Sequence, residues 1–159
     1  MPFFEIITQI KIMKHLRFLK NAMLSLTLVL IVSCSKDDDT FANVTVNGTL
    51  LVGDRSDFNG DIDASFTGNG GSATRSFIWN NNLNTADYNA DITALTEGTF
   101  RITVEDSEGT TVLDSTIDGN TEPDTIGGVT SSGASGIWTV NITVSDFKGD
   151  GSFSLSEGD

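Results

Sequence analysis

From residue 41 onward, apolar residues recur at every second position in short runs, and Gly, Asn and Asp separate the runs. A period of two marks a half-buried β-strand, whose successive side chains point to opposite faces. Val44 and Val46 alternate with Thr45 and Asn47, and Leu50 and Val52 extend the run beyond Gly48. Ile62, Ala64 and Phe66 alternate with Asp61, Asp63 and Ser65, and Phe77 and Trp79 share a face in the next run. Tyr88 to Leu95 predicts a further strand with Ile92 as its core residue. Phe100, Ile102 and Val104 then face one way, and Thr99, Arg101 and Thr103 the other. Asp106-Ser107-Glu108-Gly109 predicts a tight hairpin turn with Gly109 in the left-handed region, returning through Thr111 to Ile117.

A Gly/Ser/Thr-rich loop is expected over residues 119–136, carrying Pro123. Trp138, Val140, Ile142 and Val144 form the strongest alternating run, so Trp138 is expected in the core. A turn over residues 146–151 is expected to lead into a last strand over 152–156, with Phe153 and Leu155 inward. Helix-period patterns are missing after residue 34. About seven to nine short, one-sided strands predict an all-β fold, an antiparallel β-sandwich of Ig-like or jelly-roll-like kind. Residues 41–159 form that domain, and no internal repeat or second domain is visible.

The first third of the chain follows different rules. Lys11, Lys14, Arg17 and Lys20 precede an apolar segment, Ala22 to Val32, which is shorter than the roughly 20 residues a membrane span needs. A basic region followed by a short apolar one is the pattern of a secretory leader. Met13-Lys14-His15 is a more typical leader start than Met1. Ile31-Val32-Ser33-Cys34 resembles the bacterial lipobox, which implies a signal peptide over residues 1–33, cleavage before Cys34 and lipid on its sulfur. Residues 34–40 then form a tether, Cys34-Ser35-Lys36-Asp37-Asp38-Asp39-Thr40. Its acidic stretch resembles the short signals that send some lipoproteins to the cell surface, which implies an outer-membrane, outward-facing location. A plain solvated linker is the alternative, since charged, weakly apolar stretches stay disordered anyway.

Removing residues 1–33 leaves five basic and twenty-one acidic residues, a net charge of −16. Such a charge opposes nucleic acid and anionic lipid surfaces. Cys34 is the only cysteine and His15 the only histidine, and neither remains as a free side chain after processing. Serine–histidine and cysteine nucleophiles, His/Cys zinc sites and disulfides are thereby excluded. Any catalysis would rest on carboxylates, and no spacing marks a pair.

Two groups of residues carry candidate chemistry. Asp57, Asn59, Asp61 and Asp63 place oxygen-bearing side chains at alternate positions, which suits a calcium ion in its appetite for oxygen ligands. Gly60 does not match the glycine position of an EF-hand loop, and on a strand Asp61 and Asp63 would simply occupy the wet face. Asp146 and Asp150 form a second acidic turn of the same kind. Trp79 and Tyr88 are the candidates for stacking on sugar rings: Trp79 precedes Asn80-Asn81-Asn82 at an expected strand end, and Tyr88 lies between Asp87 and Asn89. A core position is the alternative for both, as for most aromatics of a small sandwich.

Gly136 to Leu155 reads Gly-Ile-Trp-Thr-Val-Asn-Ile-Thr-Val, then Phe-Lys-Gly-Asp-Gly-Ser-Phe-Ser-Leu. It resembles the closing hairpin of small extracellular bacterial β-sandwiches, including pre-peptidase C-terminal-like modules. The resemblance implies a non-catalytic module that binds glycans, polypeptides or calcium. The expected protein is thus a monomeric, lipid-anchored lipoprotein needing no cofactor, whose sandwich binds a glycan or an envelope protein. A structural subunit of an envelope assembly is the alternative, and a carboxylate-based glycoside hydrolase a third.

Overall fold

The computed structural model describes residues 39–53, 57–93 and 97–158, and the leader, the lipobox with Cys34 and the tether up to residue 38 lie outside them. Among the described residues, nine strands run in chain order: β1 (Ala42–Val46), β2 (Thr49–Leu50), β3 (Asp57–Asn59), β4 (Ile62–Asn81), β5 (Ala86–Ile92), β6 (Glu97–Glu105), β7 (Thr111–Asp118), β8 (Thr125–Val129) and β9 (Gly136–Glu157). All pairings are antiparallel except that of β3 with β4. The fold is the all-β sandwich that the alternation predicts.

Two long strands, β4 and β9, pair with each other along nearly their whole length and belong to both layers. The first half of β4 and the second half of β9 are flanked by β1 and β5, giving a first sheet in the order β2-β1-β4-β9-β5-β8. The other two halves are flanked by β3 and β6, giving a second sheet, β3-β4-β9-β6-β7. Register shifts at Asn69/Gly71 and Gly71/Ala73 mark where the pair turns the corner. Bulges let a strand bend sharply enough to leave one sheet and enter another.

The core lies between the two sheets. Phe66 of the first sheet stacks on Phe100 of the second with ring centroids 4.3 Å apart, and Phe153 approaches Phe100 at 5.9 Å. Val140, Ile142 and Val144 are fully buried, as their alternation requires, and so is Trp138.

Three expectations need correction. The run through Leu50 and Val52 does not continue β1: Asn47 and Gly48 both have positive φ, 48° and 78°, and the chain reverses into β2. Two left-handed residues make the primed turn that suits the twist of a hairpin. Leu51 is therefore the buried residue, and Leu50 and Val52 are exposed. Residues 146–151 are not a turn either. They lie inside β9, with Asp146 (φ 47°) as an extra bulge residue and Phe147 fully buried, so the Gly136–Leu155 segment is one bent strand and not a hairpin. Finally, the loop expected over 119–136 contains β8, which pairs with β5.

Candidate functional site

Trp79 does not project from a strand end. β4 continues through Asn81, so residue 79 keeps the inward parity of Phe77. Its ring is fully buried and edge-on to Trp138 at 6.0 Å, and its indole N–H donates to the Gly60 carbonyl at 2.7 Å. A ring so enclosed stacks on nothing outside the protein. Tyr88 is half-buried on the inward face of β5 with Ala86, Ala90 and Ile92. Its ring packs against the core, and a Cβ built on the paired Gly128 would lie 3.6 to 3.8 Å from it. The tyrosine thus covers a glycine of the edge strand.

The four alternating oxygen-bearing residues are split between the sheets. Asp57 and Asn59 lie on the outward side of β3 in the second sheet, and Asp63 on the outward side of β4 in the first. The Gly60–Asp61 link crosses between them. Asn47 holds this link: its Oδ1 accepts from the Asp63 N–H at 2.7 Å, and its Nδ2 donates to the Asp61 carbonyl at 3.1 Å. Among the described residues, no group of three or more acidic, histidine or cysteine side chains is placed to hold a metal ion.

Both outer faces carry rows of short polar side chains. On the first sheet one row runs Thr45, Ser65, Ser152, Asp91, Thr125 across five strands. On the second, Thr74, Thr143, Arg101 and Thr116 form a row beside Ser76, Asn141, Thr103 and Asp114. Arg101 is committed to Asp114 through two hydrogen bonds of 2.8 and 2.7 Å. That bond raises the guanidinium pKa and lowers that of the Asp114 carboxyl. A shallow polar recess lies beside the corner, lined by Ile92, Thr93, Asn120, Thr121, Glu122 and Asp124. Its two carboxylates sit on one segment instead of on facing walls, which is not how glycosidases place an acid and its partner.

The β4–β5 crossover at the opposite end of the sandwich is braced by side chains. Asn81 is fully buried; its Nδ2 donates to the Thr85 carbonyl and its Oδ1 accepts from the Leu83 N–H, both at 3.0 Å. Glu157 reaches over from the end of β9, and its Oε1 accepts from the Asn82 N–H and from Asn82 Nδ2, both at 2.7 Å. Asn80 Nδ2 donates to Asn82 Oδ1 at 3.2 Å. On the outer face, Asn59, Asn80 and Ile137 are neighbours across three strands. Ile137 and the crossover's Leu83 are 51% and 40% exposed, high for large apolar residues in so well-packed a fold. The triplet Asn80-Asn81-Asn82 is visible in the sequence, but Glu157 carries no local signal because it stands 75 residues from Asn82.

No family model matches the chain, and a search of the curated proteins finds no match. Among solved structures, procruciferin, an 11S globulin from Brassica napus, aligns at 13% identity and TM-score 0.34 over 61% of this chain. The chain spans only 21% of that globulin's length. The N-terminal cellulose-binding domain of Cellulomonas fimi β-1,4-glucanase C aligns at 12% identity and TM-score 0.32, covering 74% of this chain and 90% of that one. A family 11 carbohydrate-binding module from Clostridium thermocellum aligns at 10% identity and TM-score 0.34, covering 75% and 84%. At such scores none of these likenesses bears on what the chain binds.

Proposed function

We propose that this chain is a lipid-anchored, outward-facing outer-membrane lipoprotein whose sandwich is a non-catalytic module for binding glycan. The observation that carries the binding reading is the pair of outer sheet faces. They present hydroxyl, amide and carboxylate groups in rows that neighbouring strands space about 4.8 Å apart. Such rows offer donors and acceptors to an extended, hydroxylated chain lying across the strands. The same side chains are short and held by the sheet, so little rotamer freedom is lost when they engage a ligand. The lipobox resemblance and the acidic tether support the anchor and its direction.

The test is native electrophoresis of the full-length protein, extracted in mild detergent, through gels cast with soluble polysaccharides. Dextran, galactomannan, xyloglucan, laminarin and alginate form the panel, and the net charge of −16 left after removal of residues 1–33 drives migration at neutral pH. Retardation by at least one of them is the expected result. Unchanged mobility in every gel overturns the glycan reading and leaves an envelope-protein partner as the better account.

A further inference from the structure

The two outer faces and the crossover end differ in one respect that matters to a sugar. A pyranose ring presents hydroxyls around its rim and C–H groups on its faces, so a site for it needs hydrogen-bonding groups beside an apolar contact. The exposed apolar residues of the first sheet's outer face, Leu50 and Val129, lie on its edge strands beside Thr45 and Asp87, and the face is otherwise acidic, with Asp63, Asp87, Asp91 and Asp150 exposed. The middle of the second sheet is occupied with itself, through the Arg101–Asp114 pair and the Thr74–Thr143 hydroxyl contact at 3.4 Å. At its end an exposed apolar residue lies beside uncharged amides. There the exposed Ile137 pairs with Asn80, with Asn59 beyond it on β3 and the half-buried Ile78 at the next outward position of β4.

We propose that this end of the second sheet, formed by Asn59, Asn80, Asn82 and Ile137 with Leu83 on the crossover, is a binding site for a neutral glycan. The inference rests on the glycan reading above and names where and what. A primary amide has two N–H donors and an oxygen with two lone pairs, so Asn80 and Asn82 keep capacity for a sugar's hydroxyls beyond the bonds they make to each other and to Glu157. The chain of hydrogen bonds from Asn80 through Asn82 to Glu157, with buried Asn81 beneath, fixes those amides before any ligand arrives. A site fixed beforehand loses less entropy on binding. Charge selects against acidic glycans. The cations of the described residues are Arg75, Arg101 and Lys148; Arg75 bonds the Leu51 carbonyl, Arg101 bonds Asp114, and Lys148 lies at the corner, in register with Asn69. Asp57 and Glu157 flank the site instead, and would repel a uronate or sulfate.

The test repeats the gel electrophoresis with full-length Ile137→Ser and Asn59→Ala/Asn80→Ala variants, all changes at positions on the outer face of the sheet. Thr40→Ala, in the exposed segment before β1 and off both faces, is the control. The expected result is retardation of wild type and of the control by a neutral polysaccharide but not by alginate. The affinity of each site variant should fall by about tenfold or more, the scale of losing one well-made contact. Equal retardation of the site variants and wild type overturns the site while leaving the glycan reading standing. Retardation by alginate alone overturns the neutral ligand. If wild type is retarded by nothing, the glycan reading and the site fall together. Thermal melts of each variant, expected within a few degrees of wild type, keep a lost interaction distinct from a lost fold.

Discussion

Asp106 shows what one side chain does when it is tucked almost wholly inside. Its Oδ2 accepts from the Ala134 N–H at 2.8 Å, and its Oδ1 from those of Thr110 at 2.8 Å and Glu108 at 2.9 Å. The carboxylate thus closes the β6–β7 hairpin and also ties it to the loop that enters β9. These bonds, that from Ala134 foremost, hold its pKa below the ordinary 3.8, against the opposing effect of burial. A carboxyl depressed in the folded state adds stability above its unfolded pKa and loses it as pH falls through the folded one. Melting temperature should therefore drop on acidification below about pH 3.8 in wild type. Asp106→Ala should melt lower than wild type at pH 7 and show a smaller acid-dependent drop; an unchanged acid limb would place the sensitivity elsewhere. The turn itself was legible from Asp106 to Gly109, because turn residues act locally. The bond to Ala134 was not, since no pattern links positions 28 apart.

The strands were legible as runs and misread as units. Alternation identifies which residues of β4 and β9 face inward, but it resets at every bulge, so a single bent strand reads as two straight ones. Gly149, Asp150 and Gly151 have the composition of a turn because a corner between sheets asks for the same freedom. The corner is also crowded. Gly98 of β6 (φ 84°) lies opposite the Asp146 bulge, and a Cβ there would sit 2.3 Å from the Ser145 carbonyl oxygen and 2.5 Å from that of Asp146. Gly98→Ala should thus cost about 2–4 kcal/mol, from left-handed backbone strain and backbone overpacking together. Chemical denaturation of the two proteins measures it. A difference near zero would mean the bulge can relax around a methyl group.

At the level of the whole chain, the fold class could be read from period-two alternation alone, whereas the site could not. Composition offered aromatics and acids as the chemistry, but parity buries Trp79 and the sheet division separates Asp57 from Asp63. The asparagine triplet was in view; what makes it a fixed surface is a glutamate from the other end of the chain. The anchor rests on the leader, and its test is direct. Cys34→Ala should shift the protein from the membrane pellet to the soluble fraction, and persistence in the pellet would mean that the leader stays as an uncleaved span.

Because β9 lies in the middle of both sheets and pairs with β4, β5 and β6, neither layer can close before residues 136–157 have been made. β4, β5 and β6 each wait for this later strand as a partner. Folding through such distant pairings is slow, typically milliseconds to seconds for all-β domains. The bent strand is therefore also a clock: neither sheet is complete until residues 136–157 have been made.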